Sequence, residues 1–363
     1  MVTYVDKIKE LEDLIKGSKY NKRTQHAIGL YKAQLAKLKE KQESRGKGGG
    51  PKEGYSVRKT GDGTVLLLGF PSVGKSTLLN TLTNQESEVG AYAFTTLTVI
   101  PGLLDHKFAK IQILDVPGIV KGAASGRGRG REVLSVMRNA DLAIILLDAE
   151  DPEHLQIILD EVREAHIRVN QKRPDIKIKK TAKDGIKLSW TIKKTLNDDT
   201  VKDILKEFKI NNADVVIREP IDIDQLIDCI EDNKKYLPGI TVINKADKIP
   251  KEKLDKMMKE VGADLAISAK NKIGTDELKD LIFERMNLMS IFMKEPGKEP
   301  DMKEPLIIFE KSTIKDVCSK LHKDMIKMFK FARVWGSSSK FPGQKLSLNH
   351  VLKNGDILEI HLF

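Results

Sequence analysis

Apolar residues recur every three to four positions at Val5, Ile8, Leu11, Leu14 and Ile15. After a polar break at residues 17–21 they do so again at Ala27, Ile28, Tyr31, Leu35 and Leu38. That spacing predicts two amphipathic helices joined as a hairpin, each with one apolar stripe. Gly46-Lys47-Gly48-Gly49-Gly50-Pro51 then ends the periodicity, because a glycine run holds neither helix nor strand. From Val65 the pattern changes to short, continuously apolar runs, which predict strands at Val65–Leu68, Lys110–Leu114, Asp141–Leu147, Gly239–Ile243 and Ala263–Ile267. Between them, helical spacing falls at Lys75–Leu82, Arg131–Arg138, Glu153–Ala165, Lys251–Glu260 and Thr275–Met289. Strands apolar on both faces, alternating with helices, predict an α/β fold with a parallel, doubly wound sheet.

The rhythm breaks at about residues 167–220. There Ile176/Ile178 and Ile186/Leu188 alternate with lysine, Val201–Phe208 is helical in pattern and Val215–Ile217 extended, which predicts a small α+β insertion. Pro296, Pro300 and Pro305 mark a further boundary. Beyond it the order is strand (Leu306–Phe309), helix (Ile314–Met325) and short strands ending at Phe363, which suits one helix on a small mixed sheet. Met286, Met289 and Met293 read as a stripe on the preceding helix, and Cys229 and Trp335 as packing residues.

Charge changes this picture at the ends. The 363 residues carry a net +11, but residues 1–60 hold 15 Lys/Arg against 7 Asp/Glu and residues 301–363 hold 11 against 7. The middle is therefore nearly neutral; two basic ends suit contact with a polyanion, but charge alone fits lysine-rich helices that merely keep the surface soluble at least as well. No apolar run approaches the ~18 residues that cross a bilayer, and Met1–Glu10 has no signal-like block. Two cysteines make neither a disulfide framework nor a zinc site. The expectation is a cytoplasmic protein with no membrane or DNA partner.

Chemistry concentrates in four loops. Gly69-Phe70-Pro71-Ser72-Val73-Gly74-Lys75-Ser76, continuing to Thr77, follows an apolar strand and opens a helix, the context of a phosphate-binding loop. Backbone N–H groups and the helix N-terminus would cradle phosphates, Lys75 would reach the β- and γ-phosphates, and the Ser76 hydroxyl would ligate Mg²⁺. Asn244-Lys245-Ala246-Asp247 directly follows another strand. The Asp247 carboxylate can accept from guanine N1–H and N2–H₂, whereas adenine would leave it unpaired. Ser268-Ala269-Lys270 follows the next strand and offers backbone N–H groups to guanine O6. Asp115-Val116-Pro117-Gly118 ends a strand too; Asp115 suits a water on Mg²⁺ and the Gly118 N–H suits the γ-phosphate. Between these loops, Thr96 is the choice to complete the Mg²⁺ shell, with Thr95 behind it.

With these motifs in place, the chain resembles the developmentally regulated GTP-binding proteins of the Obg-like GTPases. Gly69–Thr77, Tyr92-Ala-Phe-Thr-Thr-Leu97, Asp115–Ile119, the glycine-rich run Gly122–Gly130 and Phe331-Ala-Arg-Val-Trp-Gly336 carry the resemblance. It implies a helical hairpin (1–45), a linker (46–62), a GTPase domain (63–290) with the insertion inside it, and a C-terminal TGS domain of β-grasp form (291–363). It also implies GTP and GDP as ligands, a role in translation with ribosome or rRNA contact, and room for a regulatory protein partner. The ATP-preferring branch of the group has Glu where Asp247 stands. Ile119 occupies the place where many GTPases carry a water-orienting glutamine, which predicts slow intrinsic hydrolysis. K⁺ is a further candidate cofactor, although its relatives with a defined K⁺ site usually carry Asn where this chain has Ser72. Arg127, Arg129 and Arg131 read as solvated or RNA-contacting rather than as an arginine finger. Two rival functions share the motifs: an RNA-binding adaptor with structurally bound nucleotide, and a ribosomal subunit assembly factor.

Overall fold

The computed structural model describes residues 4–19, 21, 23–45, 61–83, 100–115, 139–151 and 153–363. The chain begins with α1 (Tyr4–Gly17) and α2 (Gln25–Arg45), then β1 (Gly63–Leu68), α3 (Lys75–Thr83), β2 (Ile100–His106), β3 (Ala109–Asp115), β4 (Leu142–Asp148) and α4 (His154–Glu164). There follow β5 (Ile167–Val169), β6 (Ile176–Lys180), β7 (Ile186–Trp190), α5 (Asp198–Glu207), β8 (Ala213–Ile217), α6 (Ile223–Glu231) and β9 (Lys235–Leu237). After these come β10 (Gly239–Asn244), α7 (Lys251–Val261), β11 (Leu265–Ala266) and α8 (Thr275–Arg285). The last part holds β12 (Leu288–Lys294), β13 (Leu306–Phe309), α9 (Ile314–Leu321), α10 (Met325–Met328), β14 (Phe329–Trp335), β15 (Gln344–Leu346) and β16 (Ile357–Leu362). Two compact units emerge: residues 1–54 with 171–236, and residues 55–170 with 237–363.

The second unit contains a six-stranded sheet in the order β11-β10-β4-β1-β3-β2. All neighbours are parallel except β2, which runs antiparallel to β3 at the edge. Every residue of β1 is buried. Val65 and Leu67 join one core with Leu78, Leu82 and Ile282, while Leu66 and Leu68 join another with Ile158 and Val162. A strand covered on both sides has no polar face to show, hence its unbroken apolar sequence. β3 and β4 lie on opposite sides of β1, so the loop leaving β1 sits where the strand order reverses, at the carboxyl edge of the sheet.

The C-terminal part carries a mixed sheet, β13-β12-β16-β14-β15, in which β12 and β16 are parallel. Its core joins Met289, Ile291, Ala332, Val334 and Leu358 to Ile314, Val317 and Cys318 of α9. Thr313 and Asp316 form a reciprocal capping box that starts α9. The helix expected over 275–289 stops at Arg285, because Asn287 takes a left-handed backbone (φ 52) and Leu288–Lys294 continues as a strand. Met289 and Met293 therefore lie on β12 rather than on a helical stripe. The strand expected at Ala263–Ile267 is confined to Leu265–Ala266. The predicted helix 131–138 lies outside the described residues.

In the first unit, β6-β8-β7 form a three-stranded sheet backed by α5 and α6. Ile176, Ile178, Ile186, Leu188, Val215 and Ile217 face that core, leaving Lys177, Lys179 and Lys187 exposed on the other face. α2 packs on the same core through Ala33, and a Cβ on Gly29 would come within 3.2 Å of Ile204 and Thr200 side chains. Lys32 pairs with Asp224 (2.7 Å), Lys37 with Glu207 (2.9 Å) and His26 with Asp203 (3.0 Å). α1 buries no residue, and its Glu12 pairs with Lys39. No described helix is long and apolar enough to cross a membrane.

Candidate nucleotide site

Four strand ends of the six-stranded sheet, those of β1, β3, β10 and β11, bring the described candidate residues to one edge. The β1 loop turns into α3 through Ser72 (φ 66) and Gly74 (φ 95). Pro71, Ser72, Ser76 and Thr77 are exposed, while Gly69 and Val73 are buried beneath them. Gly69 has no room for a side chain, since a Cβ would lie 2.6 Å from the Leu146 carbonyl oxygen. The Lys75 ammonium donates to the carbonyls of Gly69 (3.0 Å) and Phe70 (2.9 Å). Burial lowers the Lys75 pKa, and the nearby Asp115 carboxylate opposes that shift. Asp115, the last residue of β3, accepts from the Ser76 hydroxyl at 3.2 Å. Burial raises its pKa against the pull of Lys75 and Ser76, and its Oδ1 is buried without a partner among the described residues.

Asn244 joins two of the loops. It is 3% exposed; its Nδ2 donates to the Val73 carbonyl (2.8 Å) and its Oδ1 accepts from the Ala269 N–H (3.0 Å). The amide thus sets the spacing between the phosphate-type loop and the Ser268-Ala269-Lys270 loop. The Ala269 N–H expected to meet guanine O6 is engaged by Asn244 here. Lys245 follows in a left-handed conformation (φ 62), and the short 3-10 turn Ala246–Lys248 leaves Asp247 exposed. Hydrogen bonding from Ser268 holds the Asp247 carboxyl below its ordinary pKa, so it is an anion ready to accept two N–H donors. Lys270 is exposed beyond it. Thr95, Thr96, Val116, Pro117, Gly118 and Ile119 lie outside the described residues, as do Arg127, Arg129 and Arg131.

Two residues that the motifs do not contain belong to the same edge. Asp148 ends β4 beside Asn244 and pairs with the Lys245 ammonium (2.5 Å), and the His154 ring stacks on Phe70 with centroids 3.8 Å apart. No local pattern signals either contact; Asp148 at the end of an apolar strand was the one available hint.

A family model described as 50S ribosome-binding GTPase matches residues 64–180, one for the C-terminal region of that domain matches 183–288, and a TGS domain matches 289–362. The developmentally-regulated GTP-binding protein 1 of Xenopus laevis is 45% identical over 98% of this chain and 98% of its own length. The chain belongs to the developmentally regulated GTP-binding protein family. An uncharacterised GTP-binding protein of Methanocaldococcus jannaschii is 50% identical over 98% of this chain and 92% of that one. Among solved structures, the YchF GTPase of Schizosaccharomyces pombe is similar with a TM-score of 0.44 and 15% identity, over 84% of this chain and 99% of that one. As a member of this family the chain is a GTP-binding P-loop GTPase of the Obg-like group, with a C-terminal TGS domain.

Proposed function

We propose that the protein is a Mg²⁺-dependent guanine-nucleotide switch that hydrolyses GTP slowly and reports its state to the ribosome. The observation that carries this reading is the buried Asn244 amide, which ties the Val73 carbonyl to Ala269 and so holds a phosphate loop and a base loop at fixed separation. In this reading Gly69–Thr77 wrap the phosphates, Asp247 selects guanine, Ser268–Lys270 meet O6, and Val116–Ile119 sense the γ-phosphate. Lys75 exchanges its two carbonyl partners for phosphate oxygens, which give its ammonium charge stronger partners where burial disfavours it.

The donor set fits a hard cation. Ser76 and Asp115 present oxygens 3.2 Å apart, and the second Asp115 oxygen is buried and unpartnered. Ser76 would ligate Mg²⁺ directly and Asp115 would hold one of its waters, with Thr96 completing the shell. When bound, Mg²⁺ neutralises charge developing on the phosphate oxygens. Ile119 gives the attacking water no hydrogen bond, so its orientation falls to switch backbone, K⁺ or a partner.

For the polyanion contact, the hairpin is a poor source of free charge: Lys32 and Lys39 are paired with carboxylates. Residues 171–194 are better supplied, with nine Lys/Arg against two Asp. Exposed Lys177, Lys179 and Lys187 there, and Lys315, Lys323, Lys327 and Lys330 in the C-terminal part, are the side chains we assign to rRNA. Lys187 and Lys327 have only long pairings, to Asp184 (3.7 Å) and Asp324 (3.5 Å), against 2.7 and 3.0 Å for Lys32 and Lys39. The domain limits in this reading are 1–45, 63–290 and 291–363.

Two measurements test it. Single-turnover assays should show GTP cleaved at about 10⁻⁴ to 10⁻² s⁻¹ without a partner. Ribosome co-sedimentation should weaken steeply with salt, each contacted phosphate adding about 0.7–0.9 to the log–log slope. GTP that stays bound and uncleaved would favour the adaptor, and salt-independent sedimentation would remove the rRNA contact. Association with free subunits rather than translating ribosomes would favour the assembly factor.

A further inference from the structure

We propose that Asp148 is a positioning residue for guanine recognition, acting through Lys245. The inference rests on reading Asn244–Asp247 as the base-recognition turn. Lys245 holds that turn in a left-handed backbone, a conformation that residues with a Cβ adopt only when their surroundings fix it. Three backbone bonds contribute: Ala149 N–H to the Asn244 carbonyl (3.0 Å), Ala246 N–H to the Ile267 carbonyl (3.0 Å) and Lys248 N–H to the Lys245 carbonyl (3.0 Å). The side chain adds the fourth tie. Asp148 lies directly opposite Asn244 in the parallel pairing of β4 and β10, and its Oδ2 meets the Lys245 ammonium at 2.5 Å. Its other oxygen accepts the Glu150 N–H (3.1 Å), so the carboxylate is itself oriented by its own loop.

A second ion pair, Lys248 with Glu150 at 2.8 Å, joins the same two loops, and burial ranks the two. The Lys248 and Glu150 side chains are 46% and 56% exposed, which leaves their attraction screened by water. Lys245 and Asp148 are 27% and 15% exposed, a setting in which removing one partner strands a partly desolvated charge. Asp148 therefore holds Lys245, and Lys245 holds the turn that aims Asp247 at the base edge. A loosened turn should blur the contact to the guanine 2-amino group more than it weakens phosphate binding.

The test uses the full chain and six variants: Asp148→Asn, Asp148→Glu, Lys245→Met, the Asp148→Asn/Lys245→Met double variant, Glu150→Gln and Asp247→Asn. Release of a fluorescent GDP analogue and the ratio of GDP to IDP affinity are measured, with thermal melting to verify folding. IDP lacks the 2-amino group, so the ratio reports Asp247 alignment, which a merely structural role would leave unchanged. Asp148→Asn and Lys245→Met should each speed GDP release about tenfold and lower the GDP:IDP ratio. The double variant should be no worse than either, Asp148→Glu should recover part of the loss, and Glu150→Gln should change release less than about twofold. Asp148→Asn with an unchanged ratio, or single effects that simply add, would overturn the proposal. Asp247→Asn, measured alongside, should shift preference to xanthosine diphosphate. If it does not, the base-recognition reading itself falls and takes this proposal with it; if it does while Asp148→Asn is silent, only the role of Asp148 falls.

Discussion

Replacing Gly74 by alanine should disable nucleotide binding by way of a residue that is 170 positions away in the chain. The backbone at Gly74 has φ 95, where an alanine Cβ costs about 1–2 kcal/mol. That Cβ would also stand 2.5 Å from Asn244 Nδ2, closer than real contacts allow. Asn244 is buried and cannot swing into water, so relief of the clash breaks its bond to Val73 and disturbs the one from Ala269. The Asn244 amide and the Val73 carbonyl, left unpaired, cost about 1–3 kcal/mol each, which with the strain brings the total to roughly 3–8 kcal/mol. The loop escapes that cost by relaxing, and nucleotide binding must reverse the relaxation, so at about 1.4 kcal/mol per decade GDP affinity should fall at least about 100-fold. Titration with a fluorescent guanine nucleotide measures this, and thermal melting separates it from unfolding. The reasoning also predicts non-additivity: in an Asn244→Ala background, where the clashing amide is gone, Gly74→Ala should cost little beyond its backbone strain. A substitution that leaves affinity within threefold, or that costs as much without Asn244 as with it, would refute the clash.

Three further outcomes follow from the same loops. Ser76→Asn should weaken Mg²⁺-GTP more than GDP, as measured by titration with and without Mg²⁺, because the hydroxyl is assigned to the metal and not to the base. Asp115→Asn should weaken Mg²⁺-GTP yet raise the melting temperature of the nucleotide-free protein at pH 7. Burial raises the Asp115 pKa, so its ionised form costs stability above the ordinary value of 3.8, and that gain from Asn should vanish as the pH falls below it. Lys177→Ala, Lys179→Ala and Lys187→Ala combined should flatten the salt dependence of ribosome co-sedimentation while leaving GDP affinity unchanged; an unaltered slope would place the rRNA contact elsewhere.

The main sheet was readable because its strands have no polar face: Leu66 to Leu68 and Leu142 to Leu147 are apolar wherever they are buried on both sides. β2 was not readable. Pro101-Gly102 resembles a break, yet proline is tolerated on an edge strand, where one side of the backbone has no partner to satisfy. β12 was hidden for another reason, since Leu288-Met-Ser-Ile-Phe-Met extends the apolar content of α8 and only Asn287, with its positive φ, marks the turn. The motif residues were legible as strings because strand–loop–helix context is local. Their supports were not: Asp148 lies 97 positions from Lys245, and the carboxylates that neutralise Lys32 and Lys37 lie 192 and 170 positions away. Periodicity carries information over a few turns of chain, and ion pairs between distant segments leave no trace in it.

That division bears on how the site works. The legible residues are those that face a ligand, and in the ligand-free protein several of them satisfy one another: Lys75 caps the Gly69 and Phe70 carbonyls, Ser76 donates to Asp115, and Ala269 donates to Asn244. Guanine-nucleotide binding must therefore exchange these side-chain bonds while it fills the loop's backbone N–H donors, and net affinity depends on charge-assisted bonds to phosphate exceeding neutral bonds to carbonyls. Lys75 gains most from that exchange, because burial has already lowered its pKa and a phosphate oxygen gives its charge a stronger partner than either carbonyl. Asn244 gains least, because its bonds to Val73 and Ala269 define the separation that the nucleotide spans. A residue whose contacts set geometry should be costly to replace even with no ligand present, whereas Lys75→Ala should leave the ligand-free fold nearly as stable as before and lose the triphosphate. Comparable melting losses for Lys75→Ala and Asn244→Ala would contradict that separation of roles.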